Sequence, residues 1–150
     1  MKTLPTDVEI CGAERDQLPE IFQLLKACQL PKEGLATHLS KTLVAQRGSE
    51  IVGCSALEVH QELALLRSVA VKPSFRKRGL GLKLTRAALD LARESQVMKV
   101  YLLTETASTF FSKLGFVRVP RSDVPEKIKR SVEFTTLCPK TATVMTMSLA

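Results

Sequence analysis

Hydrophobic positions along the chain switch between two periods, and the switches mark out the elements. Val8 to Gly12 has strand spacing. From Asp16 to Leu30 the residues Leu18, Ile21, Phe22, Leu25 and Cys28 recur at helical spacing, and Pro31 ends the run. Gly34 to Leu39 fits a second short helix. Leu43 to Gln46 predicts a strand and Gly48-Ser49-Glu50 a turn. Ile51 to Val59 follows as a strand with Ile51, Gly53, Ser55, Leu57 and Val59 on one face. His60-Gln61-Glu62 then turns the chain into Leu63 to Val71, the third strand of a meander, which Pro73 closes.

Leu80 to Ser95 is the clearest helix. Leu80, Leu84, Ala87, Ala88 and Leu91 form one apolar stripe, with Lys83, Arg86, Asp90 and Arg93 off it. Val100 to Thr104 is short and continuously apolar, as a central strand covered on both faces would be. Ala107 to Leu114 predicts a helix stopped by Gly115, with Phe116 to Val119 a strand behind it. Asp123-Val124-Pro125-Glu126 has the look of a capping box, so a helix is expected from Asp123 to about Phe134. Thr143 to Leu149 alternates Met145, Met147 and Leu149 with polar residues and reads as a last strand. The sum is a mixed α/β single domain over residues 1–150, antiparallel first and crossover-connected later.

Charge sharpens this picture. The formal net charge is +7, and Lys72, Arg76, Lys77, Arg78, Lys83 and Arg86 crowd around one pair of glycines. A local excess suggests one compact anionic partner, although a charge run is also an ordinary solvated face. Nucleic acid is disfavoured, because one Tyr and no Trp leave little for stacking bases. The apolar runs fall far short of the ~20 residues a membrane helix needs, and Met1 to Asp7 lacks an apolar signal core, so a cytoplasmic protein is expected. Cys11, Cys28, Cys54 and Cys138 form no CxxC, and neither His38 nor His60 sits at ligand spacing from a cysteine. No metal is expected, and the thiols read as buried and reduced.

The glycines stand where chemistry is easiest to place. The strand Leu63 to Val71 runs through Pro73 into Arg76-Lys77-Arg78-Gly79-Leu80-Gly81, and a helix begins at once. Unpaired N–H groups and the positive end of the helix dipole bind phosphate there, and glycine lets backbone approach the anion. A loop that uses glycine merely to turn is the plain alternative. There is no GxxxxGK[ST] and no GxGxxG after a strand, which removes the two commonest nucleotide loops.

Val69-Ala70-Val71-Lys72-Pro73-Ser74-Phe75 and the Arg76 to Gly81 loop together resemble the strand, bulge and Arg/Gln-x-x-Gly-x-Gly loop of the GNAT acetyltransferases. ASTFFSKLGF, Ala107 to Phe116, is similar to that superfamily's second signature, and order and spacing agree from about Leu43 to Val119. LLRSVAV, YLLTETASTFF, VPRSDVPEKIK and EFTTLCPKTATVM further resemble the branch encoded in bacterial arsenic-resistance operons, itself similar to the acetyltransferase domain of N-acetylglutamate synthases. The resemblance implies a six- to seven-stranded mixed, mostly antiparallel sheet flanked by helices. It implies acetyl-CoA as co-substrate and direct attack by the amine of a small acceptor, an amino acid or an amino-acid-like, arsenical molecule. A non-catalytic acetyl-CoA-binding sensor or docking module is the rival reading, and homodimerisation is left open.

Residue by residue, the resemblance puts Val69, Ala70 and Val71 along the pantetheine arm, with the Val69 N–H toward the acetyl carbonyl. Arg76, Lys77, Arg78, Gly79, Leu80 and Gly81 would hold the pyrophosphate, with Phe111 and Lys113 also against the cofactor. Relatives carry a tyrosine general acid where Phe111 stands, so Thr104 is expected to protonate the leaving thiolate, with Ser112 second. Thr104 as a helix cap is the alternative. For the base, Glu62, Glu58 and Glu105 are all near enough to act through water, and Glu62 is the choice carried forward.

Arg67 stands out on physical grounds. A guanidinium in mid-strand on the face of Leu63, Leu65, Val69 and Val71 must be paired or line a cleft, since an unpaired buried charge costs several kcal/mol. With Ser68 it is assigned to the acceptor, whose carboxylate would suit a planar fork. An internal pair with Glu58 or Glu105 is the structural alternative.

Overall fold

In the computed structural model, which describes residues 7–131, 134 and 141–149, the alternating segments become seven strands of one sheet. These are β1 (Val8–Gly12), β2 (Thr42–Arg47), β3 (Glu50–His60), β4 (Leu63–Val71), β5 (Lys99–Thr104), β6 (Val117–Arg118) and β7 (Thr143–Ser148). Their order is β1-β2-β3-β4-β5-β7-β6, and every pairing is antiparallel except β4 with β5. The parallel pair, β4 and β5, is joined by a crossover that carries a helix, as a parallel pairing requires.

The helices are α1 (Leu18–Ala27), α2 (Leu80–Glu94), α3 (Ser108–Lys113) and α4 (Glu126–Lys129), with a 3-10 segment at Leu35–Lys41. On one face Ala88, Leu89 and Ala92 of α2, with Phe111 and Phe116, cover Leu57, Leu66, Val100 and Leu102, while Leu80 and Leu84 cover Ala45 and Val52. The opposite face carries α1 and the 3-10 segment over Val44, Cys54 and Ala56, and α4 over Leu65 and Tyr101. Successive residues of a strand face opposite ways, so each inner strand serves both layers. At Gly53 there is no room for a side chain beneath α2, since a Cβ there would lie 2.8 Å from Leu84 Cδ1. Among the described residues no helix is long and apolar enough to cross a membrane.

Two helix ends escape a reading by glycine. α1 stops at Ala27 rather than Leu30: Gln29 takes φ 59°, and the N–H groups of Gln29 and Leu30 return to the carbonyls of Lys26 and Leu25. α2 ends the same way at Gln96, φ 64°, with Val97 N–H on Ala92. Both are Schellman closures, each with an apolar residue after the left-handed one packed into the core. The helix expected from Asp123 is corrected. Arg121–Asp123 is a separate 3-10 turn and Pro125 caps a helix confined to Glu126–Lys129. The proline forces Val124 into extended backbone (ψ 131°), so one helix cannot span Asp123 to Glu126. Residues 132–133 of the expected helix lie outside the described residues, as does the Leu137-Cys138-Pro139 segment.

Candidate functional site

The strand β4 pairs with β5 only near its start, through Leu63↔Lys99, Ala64↔Val100 and Leu65↔Tyr101. Beyond Leu65 the two strands part. The cause lies on the other side of β4, where Ser68 and Val69 together oppose Ser55 and shift the register between Cys54↔Ala70 and Ala56↔Arg67. Ser68 sits at φ 60°, and such a bulge bends its strand and adds twist. A cleft of about 710 Å³ opens in the gap. Its walls are Leu66–Val71 of β4, Leu102–Ala107 from β5 onward, the Cys28–Pro31 turn after α1, and Phe110 and Phe111 of α3.

At its mouth lies the glycine loop. Arg76, Lys77, Gly79, Leu80, Gly81 and Leu82 all line the cleft. Gly79, φ 85°, is the N-cap of α2 and brings no side-chain cap, so the first-turn N–H groups of a fifteen-residue helix face the opening. The Arg76 side chain folds back, donating from Nε to the Val71 carbonyl (3.1 Å) and from Nη2 to Cys28 Sγ (3.4 Å). Arg78 lies over the Phe75 ring, and its buried Nε has no hydrogen-bond partner among the described residues. An anion fits this end of the cleft: it would meet helix N–H groups and the cationic side chains of the loop.

Thr104 also lines the cleft, and its Oγ1 accepts the Ala107 N–H at 2.9 Å. The helix-cap alternative is not realised, since the N-cap of α3 is Ala107 with no side-chain cap and Thr104 closes the turn before it. A backbone N–H only donates, so the Thr104 hydroxyl proton stays available for the cleft. Phe111 is buried against Phe110 and Phe116 and forms cleft wall. Ser112 is exposed and outside the lining. Lys113 borders a second hollow instead, of about 350 Å³, shared with Arg86, Asp90 and Arg93 of α2.

The carboxylates separate clearly. Glu62 does not join the cleft; it sits exposed on the β3–β4 turn, bound by Lys127 Nζ at 3.1 Å. Its own backbone N–H, and then Lys127, hold it below the usual carboxylate range, which weakens it as a base. Glu105 lines the cleft and is exposed.

Glu58 is buried and fully engaged. Its Oε2 accepts Arg67 Nη1 at 2.9 Å, while His60 Nε2 and His38 Nε2 stand 3.6 and 3.8 Å from Oε1. Of the two partners expected for an internal Arg67 pair, the geometry selects Glu58. Arg67 also donates from Nη2 to the Pro31 carbonyl (3.2 Å) and from Nε to Ser68 Oγ (3.1 Å), and its side chain is wholly covered. It thus ties the cleft wall after α1 to the bulge from beneath. Burial holds His38 below its ordinary value; Glu58 works the other way, while His60 and Arg67 add to the lowering. Sequence reasoning offered Glu58 as a partner of Arg67 but missed the two histidines, since His38 comes from a separate element; the one signal was Glu58 and His60 sharing a strand face with Ala56.

Cys54 lies buried behind the bulge. Its Sγ donates to the Ser68 carbonyl at 3.1 Å, and burial, aided by nearby Cys28, pushes its thiol up to about 12. It stays protonated and keeps donating. Among the described residues no group of three His, Cys, Asp or Glu could hold a metal ion.

Comparison with known proteins gives this geometry its context. The family described as an acetyltransferase (GNAT) domain matches residues 38–118. An uncharacterized N-acetyltransferase of Chlorobaculum tepidum is 33% identical over 109 residues, 72% of this chain and 68% of that protein. An amino-acid acetyltransferase of Actinobacillus pleuropneumoniae is 30% identical over 64% of this chain, which spans only 22% of its length. The crystal structure of N-acetylglutamate synthase from Neisseria gonorrhoeae, complexed with coenzyme A and N-acetyl-glutamate, superposes with a TM-score of 0.82. The superposition covers 97% of this chain and 36% of that one, at 20% identity, and shows a shared fold.

Proposed function

This chain belongs to the GNAT acetyltransferase family, and from that premise we propose that it transfers the acetyl group of acetyl-CoA to the amine of a small amino acid or amino-acid-like acceptor. Residues 1–150 would act as one domain. The observation that carries the reading is the parting of β4 from β5 beyond Leu65, at a cleft whose mouth is the uncapped N-terminus of α2. A long, thin cofactor with an anionic middle suits that shape. Val69, Ala70 and Val71 would run along the pantetheine arm, with Arg76 to Gly81 on the pyrophosphate and Phe111 against the arm's far side. Lys113 and its hollow are left to the outer part of the cofactor.

In the reaction a neutral amine adds its lone pair to the thioester carbonyl carbon, and the C=O pair moves onto oxygen. Collapse restores the carbonyl and expels the coenzyme A thiolate; nitrogen loses its extra proton and the thiolate gains one. Positioning supplies much of the rate in such a transfer. Thr104, with an unspent hydroxyl proton in the cleft, is the donor we assign to the thiolate. For the proton leaving nitrogen, Glu105 acting through water replaces Glu62, because only Glu105 borders the cleft.

An amino-acid acceptor is supported by the name of the Actinobacillus relative, and amine-bearing arsenicals by the operon branch that the sequence resembles. The test is thiol release from acetyl-CoA across a panel of amino acids and amine-bearing arsenicals. Turnover of at least one carboxylate-bearing amine is the expected result. Tight cofactor binding with no turnover of any amine would mean a binding module instead.

A further inference from the structure

Ser68 is held in a way that leaves one polar group unspent. It is buried, 6% exposed, at φ 60° in the middle of β4, a backbone state disfavoured for any residue with a Cβ. Residues kept in such states cluster at functional sites, where the surroundings over-determine them. Here they do: Cys54 Sγ donates to its carbonyl and Arg67 Nε to its hydroxyl oxygen.

The direction of the second bond cannot reverse. A guanidinium has donors only, so Ser68 Oγ must be the acceptor, and its own proton must point elsewhere. Among the described residues that proton has no acceptor. Ser68 lines the cleft, next to Val69, and neither residue has a Cα partner on β3 or β5. A hydroxyl whose lone pair is bound to a buried cation is also a stronger donor, since linked hydrogen bonds polarise one another.

We propose that the Ser68 hydroxyl donates to the acetyl carbonyl oxygen of bound acetyl-CoA and to the oxyanion that oxygen becomes, with Arg67, braced by Glu58, as the residue that positions it. The assignment rests on the acetyl-transfer reading of this cleft. A donor fixed before reaction stabilises developing negative charge without reorganising. The buried Arg67–Glu58 pair is thereby explained as more than an internal tie: it orients a neighbouring hydroxyl by occupying one of its lone pairs.

The experiment uses acetyl-CoA carrying 13C at the carbonyl and reads its NMR shift on binding to the parent, Ser68→Gly and Ser68→Ala. Glycine removes the hydroxyl while easing the positive φ; alanine removes it and keeps the Cβ. In the parent the carbonyl resonance moves downfield on binding, and both variants lose much of that movement while coenzyme A affinity stays within about twofold. With L-glutamate as the probe amine, thiol release falls about a hundredfold in both. A Ser68→Gly protein that keeps the parent's carbonyl shift, or its rate, overturns the proposal and leaves Ser68 a purely conformational residue. Failure of the parent to bind acetyl-CoA refutes the acetyl-transfer reading itself. Binding without turnover of L-glutamate counts only against that acceptor, and the carbonyl shift still decides the role of Ser68.

Discussion

Arg67 Nη1 reaches Glu58 Oε2 at 2.9 Å from the neighbouring strand, with the arginine side chain wholly covered and the glutamate nearly so. Two more donors of the same guanidinium hold Pro31 and Ser68, so a single side chain joins β3, β4 and the turn after α1. A lysine there could keep Glu58 company but could not fork to the other two. Arg67→Lys should therefore cost about 2–3 kcal/mol of stability, read as a shifted urea midpoint, because buried acceptors lose a charged donor. Acetylation of amines with and without a carboxylate should fall together. Selective loss of the carboxylate-bearing amines would mean instead that Arg67 touches the acceptor.

Gly79→Asp tests the mouth of the cleft. A Cβ at Gly79 would meet nothing within 4 Å, and aspartate tolerates a left-handed backbone better than most residues, so the fold should survive. The new carboxylate would sit where the helix N-terminus attracts phosphate, and coenzyme A binding should vanish in calorimetry. Parent-like affinity would remove the loop from the cofactor site.

Thr104→Val removes a hydroxyl and keeps the shape. Coenzyme A thiolate leaves readily, so losing its proton donor should lower kcat by about ten- to a hundredfold, the low end of general-acid effects, with cofactor affinity similar. The Ala107 N–H loses its acceptor as well, at about 1 kcal/mol of stability. Lower stability with unchanged kcat would reduce Thr104 to a turn residue.

His38 makes stability depend on pH. Burial lowers its folded value below the ordinary 6.5, so in the window beneath 6.5 the unfolded chain binds the proton more readily than the folded one. Its contribution is fully present above 6.5 and is lost as pH falls toward the folded value. Thermal unfolding followed from about pH 7.5 down to about pH 5 should show a decline that His38→Gln makes shallower. Equal slopes in the two proteins would exclude His38 as its source.

Much of the scaffold was written locally. The alternating run of β4, the stripe of α2 and Gly115 after α3 are short-range signals, and each matches an observed element closely. The helix ends at Gln29 and Gln96 were not legible, because nothing in a glutamine announces a left-handed backbone; core packing of Leu30 and Val97 after them imposes it. The last helix misled for a local reason, since a capping pattern counts for nothing when a proline stands inside it.

The candidate site divides along the same line. By itself the sequence determined the loop proposed to bind phosphate, whose strand, glycines and helix start are contiguous and whose chemistry would be backbone chemistry. It also determined that Arg67 needed a partner or a cleft, because a charge on an apolar strand face has no third option. Only the tertiary structure decided that the partner is Glu58, that Glu62 points away to Lys127, and that His38 and His60 close on one carboxylate. The Arg67–Glu58 pair depends on the register that β3 and β4 keep from their turn to Arg67, and the opening of the cleft beyond it on one extra residue at Ser68. A bulge is set by how the whole sheet twists and packs, which no run of neighbouring residues encodes.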